Sequence, residues 1–151
     1  MSMLARRLRH CLFMLFAWCL LMAICFSLRV VGYRQTSRYL IWISPTPDSQ
    51  EKFDSRAKVA AKLVGRVAHS PLSPKSRCLA RSLLLWTMLR LLGIASTVKT
   101  GISKDKSGQL SGHAWVVHAG QVLNDRPNVA LDYAPQWSDL DPEIFAKVKQ
   151  P

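Results

Sequence analysis

The first 44 residues contain no aspartate or glutamate, although they carry Arg6, Arg7, Arg9, Arg29, Arg34 and Arg38 and so a charge of +6. Glycine and proline are scarce, at 7 and 8 of 151 residues, which excludes collagen-like and low-complexity chains. Four cysteines in 151 residues are too few for a small disulfide scaffold. Only 20% of residues are charged while 49% are hydrophobic, which excludes disorder as the main description. No A-x-A cleavage site follows the N-terminal apolar run. Ile24 precedes Cys25 where a lipoprotein signal wants a small residue, so secretion is not expected. No nucleic-acid-binding motif is recognisable, and no nucleic-acid partner is expected.

A chain of 151 residues and 17.0 kDa has room for one domain. Its net charge is +12 and its pI about 10.2. The 107 residues after position 44 hold 15 bases and all 9 acids, again +6. Such a surface suits acidic partners, whether nucleic acid, an anionic lipid or an acidic peptide, and composition alone does not choose among them. From Cys11 to Leu28 run 18 residues without a formal charge. As a helix they would measure about 27 Å, the short limit for crossing hydrocarbon. Arginines flank both ends, so charge bias does not orient a span. Two readings stay open: a helix in or on a membrane, and a helix packed on the rest of the domain or on a partner. Cys11, Cys19 and Cys25 form no CxxC and have no neighbouring His ligand, and read as small packing residues.

Tyr33 to Ile43 reads as a second helix, ended by Ser44-Pro45-Thr46-Pro47. The segment boundary falls there, between an apolar, basic helical stretch 1–44 and a compact part 45–151. In the compact part Asp48 and Glu51 form a capping pair. Phe53, Ala57, Ala60, Val64, Val67 and Ala68 then recur at helical steps. A Pro/Ser loop leads to Cys78, and a helix apolar nearly all round runs to Leu92, closed by Gly93. The period then shifts to two. Ala95–Lys104, Leu110–Val117 and Gln121–Asp125 read as strands, and Asp141-Pro142 as the start of a short last helix. Helices followed by an antiparallel sheet are the α+β pattern.

Cys78 stands apart from the other three cysteines. At a helix start, unpaired N–H groups and the helix dipole favour a thiolate. The dipole contributes only about 0.3–1 kcal/mol, so a reactive thiol needs an imidazole. His69 ends a helix, where capping explains it. His113 and His118 share a strand but, five residues apart, face opposite sides. A three-residue loop His118-Ala119-Gly120 pairs Val117 with Gln121 and sets His113 opposite Asp125. A two- or four-residue loop breaks that parity. An Asp that fixes the imidazole would be the third member of a Cys-His-Asp triad. The bland alternatives are a surface ion pair and a buried cysteine.

The ordered series Cys78-Leu79-x-Arg81-Ser82-Leu83, Leu91-Leu92-Gly93-Ile94, Gly101-Ile102-x-Lys104-Asp105, His113-Ala114-Trp115-Val116 and Gly120-x-Val122-Leu123-x-Asp125 resembles the transglutaminase-like cysteine peptidases of lasso-peptide biosynthesis, the standalone B-type maturation proteins. The resemblance runs from about Val59 to Asp125. It implies a papain/transglutaminase-like fold with Cys78 as nucleophile, His113 as general base and then acid, and Asp125 as orienter. It implies hydrolysis of one peptide bond in a ribosomally made precursor, releasing its leader. The implied partners are the precursor peptide, a leader-recognition protein and an asparagine-synthetase-like lasso cyclase; no cofactor or metal is implied. The implied setting is cytoplasmic, with membrane contact through residues 11–28 as one open alternative. Ala80 stands where the family often has Pro, and Val117-His118-Ala119 replaces a stretch that often carries an acid. Arg81 either meets an acidic group or supports the Cys78 thiolate, or is satisfied by a structural acid such as Asp132. Trp115 either walls the site for substrate or belongs to the core. Two competing functions remain: an acyltransferase or amidase on the same triad, and a non-catalytic membrane-associated adaptor.

Overall fold

A computed structural model describes residues 3–45, 47, 55–70, 78–104 and 109–136. Four helices, α1 (Met3–Val30), α2 (Gly32–Ile43), α3 (Ser55–Ala68) and α4 (Cys78–Leu91), precede an antiparallel sheet. Its strands are β1 (Thr97–Lys104), β2 (Leu110–His118), β3 (Gln121–Val122) and β4 (Ala134–Gln136), in the order β3-β2-β1-β4. The architecture is α+β, as the period change in the sequence predicts. The expected Asp48–Glu51 cap and the Asp141-Pro142 helix lie outside the described residues.

Helix α4 is the axis of the fold. Every residue from Ser82 to Arg90 is buried, because α1 and α3 cover one side and the sheet the other. Its buried polar groups at Trp86, Thr87 and Arg90 have hydrogen-bond partners. Thr87 donates to the Leu83 carbonyl at 2.9 Å, and Trp86 Nε1 to the Ser96 carbonyl at 3.1 Å. Arg90 donates from Nε to Ser44 Oγ at 2.8 Å and stacks over Trp86 at 4.7 Å, tying α4 to the end of α2. The helix closes as expected at Gly93, whose N–H reaches the Arg90 carbonyl while Ile94 N–H reaches Leu89. Ser44 is extended, as a residue before Pro45 must be, and α2 ends there.

Helix α1 sends Ala17, Leu21 and Ile24 into the same core as Val64 of α3 and Leu83, Leu84 and Leu85 of α4. Burying Leu21 and Ile24 contributes roughly 1.5–3 kcal/mol each. The first 44 residues therefore share a core with those that follow. The opposite side of α1, from Leu8 to Val30, is exposed.

The hairpin differs from expectation. Ala119 (φ 46°) and Gly120 (φ 74°) both adopt positive φ and form a two-residue turn. Val117 pairs with Val122 and His118 with Gln121, not Val117 with Gln121. The third strand stops at Val122 instead of reaching Asp125.

Candidate active site

The register of α4 on β2 sets the site. Cys78 and Ser82 lie one turn apart on the same helix face. Cys78 Sγ is 3.8 Å from the Gly112 carbonyl oxygen, and Ser82 Oγ donates to the Ala114 carbonyl at 2.9 Å. One helical turn thus spans two strand residues, and the residue between those two acceptors is His113. The thiol is half-buried, and as the first residue of α4 its N–H has no intrahelical partner.

His113 Nε2 donates to Asp125 Oδ2 at 2.5 Å. This pair forms despite the two-residue turn, for a reason the ladder does not contain. Continued strictly, the ladder would set Asp125 opposite Ala114. Instead the chain leaves β3 at Leu123, whose N–H still bonds the Val116 carbonyl. The Val116 N–H is then met by the side chain of Asn124, through Oδ1 at 2.8 Å. Asn124 Nδ2 donates in turn to Ser82 Oγ at 3.0 Å. Asn124 thereby clamps the departing chain to both β2 and α4, and the next residue, Asp125, swings onto the His113 side. Neither Asn124 nor Ser82 stands out as functional in the sequence. Their signal is positional: one turn beyond Cys78, and one residue before Asp125.

Burial is the largest influence on Asp125 and opposes its ionisation. The hydrogen bonds from His113 and from Arg126 N–H, with the charges of His113 and Arg81, outweigh it and hold the carboxyl below its usual range. With Nε2–H committed to Asp125, Nδ1 is the ring nitrogen able to take a proton.

The imidazole sits in a three-ring cluster with Tyr133 and Trp115. Tyr133 stacks on it with centroids 5.0 Å apart, and Trp115 lies 6.1 Å away, next to Tyr133. Trp115 is 4% exposed and backs the ring from the core. Gly101, which pairs with His113 across β1 and β2, makes room for this stack. A Cβ there would lie 2.6 Å from Tyr133 Cβ and 3.2 Å from Trp115 Cη2.

Arg81 lines a groove of about 470 Å³ together with Lys58, Lys62, His69 and Asp125. Its Nε is buried without a hydrogen-bond partner among the described residues. Asp132, one acid considered for Arg81, pairs with Arg126 at 2.9 Å. His69 and His118 are structural. His69 Nδ1 caps the Gly65 carbonyl at 2.7 Å, and His118, 1% exposed on the other face of β2, meets the Ala95 carbonyl at 2.6 Å.

An α+β fold with a half-buried thiol at the start of its central helix, set against Gly112 on the strand that carries an imidazole–carboxylate pair, is compatible with thiol chemistry at acyl groups. The sequence model of the transglutaminase-like superfamily matches residues 18–138, most of the chain, and the protein belongs to that superfamily. Cysteine peptidases and transglutaminases both occur in it. Comparison with curated proteins and with solved structures finds no match.

Proposed function

We propose that this protein is a cysteine peptidase that removes the leader from a ribosomally made lasso-peptide precursor, using Cys78, His113 and Asp125. The observation that carries the reading is the His113–Asp125 hydrogen bond beside a thiol seated on Gly112. The ordered motif series from Cys78 to Asp125 supports the choice of substrate.

In this mechanism His113 Nδ1 takes the Cys78 thiol proton, and the sulfur bonds the scissile carbonyl carbon. The Cys78 N–H at the start of α4 donates to the oxyanion. The imidazolium returns its proton to the leaving amine as the C–N bond breaks, leaving a thioester. Water, losing a proton to Nδ1, then attacks the thioester and releases the thiolate. Asp125 holds the tautomer and balances the imidazolium charge. Tyr133 and Trp115 keep the ring in plane. Arg81, with its unsatisfied Nε in the basic groove beside Asp125, binds a carboxylate of the peptide. A leader-recognition protein presents the precursor, and a lasso cyclase consumes the freed amine.

The test is mass spectrometry of a candidate precursor incubated with the protein and the recognition protein. Hydrolysis yields two fragments whose masses total the precursor plus one water. A product carrying an added amine in place of that water identifies an acyltransferase. An intact precursor in every arm removes the peptidase reading. Arg81→Gln raises KM for the precursor more than it lowers kcat; an unchanged KM removes the Arg81 assignment.

A further inference from the structure

We infer that α1 lies flat on an anionic lipid surface, with its outward apolar stripe in the headgroup–acyl boundary and the neighbouring arginines among the phosphates. Leu8, Leu12, Leu15, Cys19, Met22 and Phe26 are spaced by alternating steps of four and three, and so share one side of the helix. All are exposed, Leu15 at 58% and Phe26 at 69%. The opposite stripe, Ala17, Leu21 and Ile24, is buried in the core. A helix apolar on every side is enclosed by protein or meets lipid. Only 17% of the apolar window in Cys11–Val30 is buried.

The inner stripe decides the orientation. If α1 crossed the bilayer with its core contacts intact, it would draw α3 and α4 into hydrocarbon, with Lys58, Lys62 and Arg81 on them. Unwinding those contacts would expose Leu83 and Leu84. Lying along the interface costs neither.

Charge decides the occupant. A second copy laid on the same stripe would bring two segments of +6 together, with no acid among residues 1–44 to pair with them. An anionic surface supplies the missing counter-charge, and each basic group near it tightens binding about five-fold. Arg7 and Arg29 lie near the two ends of the stripe. On α2, Arg38 sits in one shallow concavity with Tyr39 and Trp42, and Trp42 is 85% exposed. Exposed aromatic rings beside arginine are typical anchors at the headgroup level.

The test floats the full-length protein with vesicles of phosphatidylcholine alone, and with vesicles also containing phosphatidylglycerol. Co-flotation with the anionic vesicles, weakened by salt, is expected. Arg29→Gln/Arg38→Gln should weaken it about twenty-five-fold, two factors of about five. Leu15→Ser/Phe26→Ser should abolish it, with thermal melting in the absence of vesicles unchanged because both side chains face outward. The arginine pair keeps the test decisive if the serine pair fails to fold. Failure to float with anionic vesicles overturns the inference. So does retention in cell membranes after alkaline carbonate washing, which marks a spanning helix. A dimer in sedimentation equilibrium that Leu15→Ser/Phe26→Ser dissociates overturns it in favour of a second copy.

Discussion

Replacing Gly101 with Ala should loosen the site without touching any residue assigned to the chemistry. The new Cβ would stand 2.6 Å from Tyr133 Cβ and 3.0 Å from the Ala134 carbonyl oxygen. Carbon atoms rest at about 3.5–4.0 Å, so the Tyr133 backbone must retreat by about 1 Å. That retreat lifts the ring off His113, 5.0 Å away, and strains the short β1–β4 pairing at Pro135. Overpacking of this kind costs about 1–3 kcal/mol, which lowers Tm by about 3–10 °C in a chain of this size. The assay is urea unfolding of wild type, Gly101→Ala, Tyr133→Gly and the double variant. Removing the Tyr133 Cβ removes the clash, so the double variant should be less destabilised than the singles together, by about 1 kcal/mol or more. Additivity across the cycle, or a Gly101→Ala variant as stable as wild type, would refute the packing argument.

Asn124→Leu should cost about 1–3 kcal/mol in urea unfolding, because Val116 N–H loses its acceptor inside the core. The same variant should slow precursor cleavage more than its stability loss explains, since Asp125 is then no longer steered to His113. Asp125→Asn should cut cleavage about 10²–10⁴-fold, read from single-turnover rates. The folded Asp125 carboxyl lies below its unfolded value of 3.8, so its stabilising contribution is present above that pH and lost as pH falls through the folded value. Acid unfolding of Asp125→Asn should therefore show a shallower pH dependence than wild type below 3.8. An equal slope would remove the charge-pairing account.

The sequence exposed the parts of the fold that rest on local rules. Gly93 closes α4 and Pro45 stops α2, because a left-handed cap and a prolyl restriction act over one or two residues. The helical period of Ala57, Ala60, Val64 and Val67 faces the core as read. The His113–Asp125 pair was legible as a partnership but not by its route. The expected three-residue loop would have delivered it through ladder parity, which needs an unbroken third strand. Ala119 accepts positive φ, the turn tightens to two residues, and the strand ends at Val122. What rescues the pair is a side chain, Asn124, acting as a backbone acceptor, and no pairing rule anticipates that substitution. Strand β4 also escaped the sequence reading. It has three residues, one of them Pro135, and it pairs with β1 where Tyr133 lies close over Gly101. Residues 11–28 read as an apolar run without formal charge, which left membrane and core open together. The fold shows one stripe spent on each side, inward on α4 and outward on nothing within the described residues.

The most direct measurement is the mass of a precursor peptide after incubation with wild type, Cys78→Ala and Cys19→Ala, each with the recognition protein. Wild type and Cys19→Ala should convert the precursor to leader and core at equal rates, and Cys78→Ala should leave it whole. Cleavage by Cys78→Ala at the wild-type rate would contradict the account at its root.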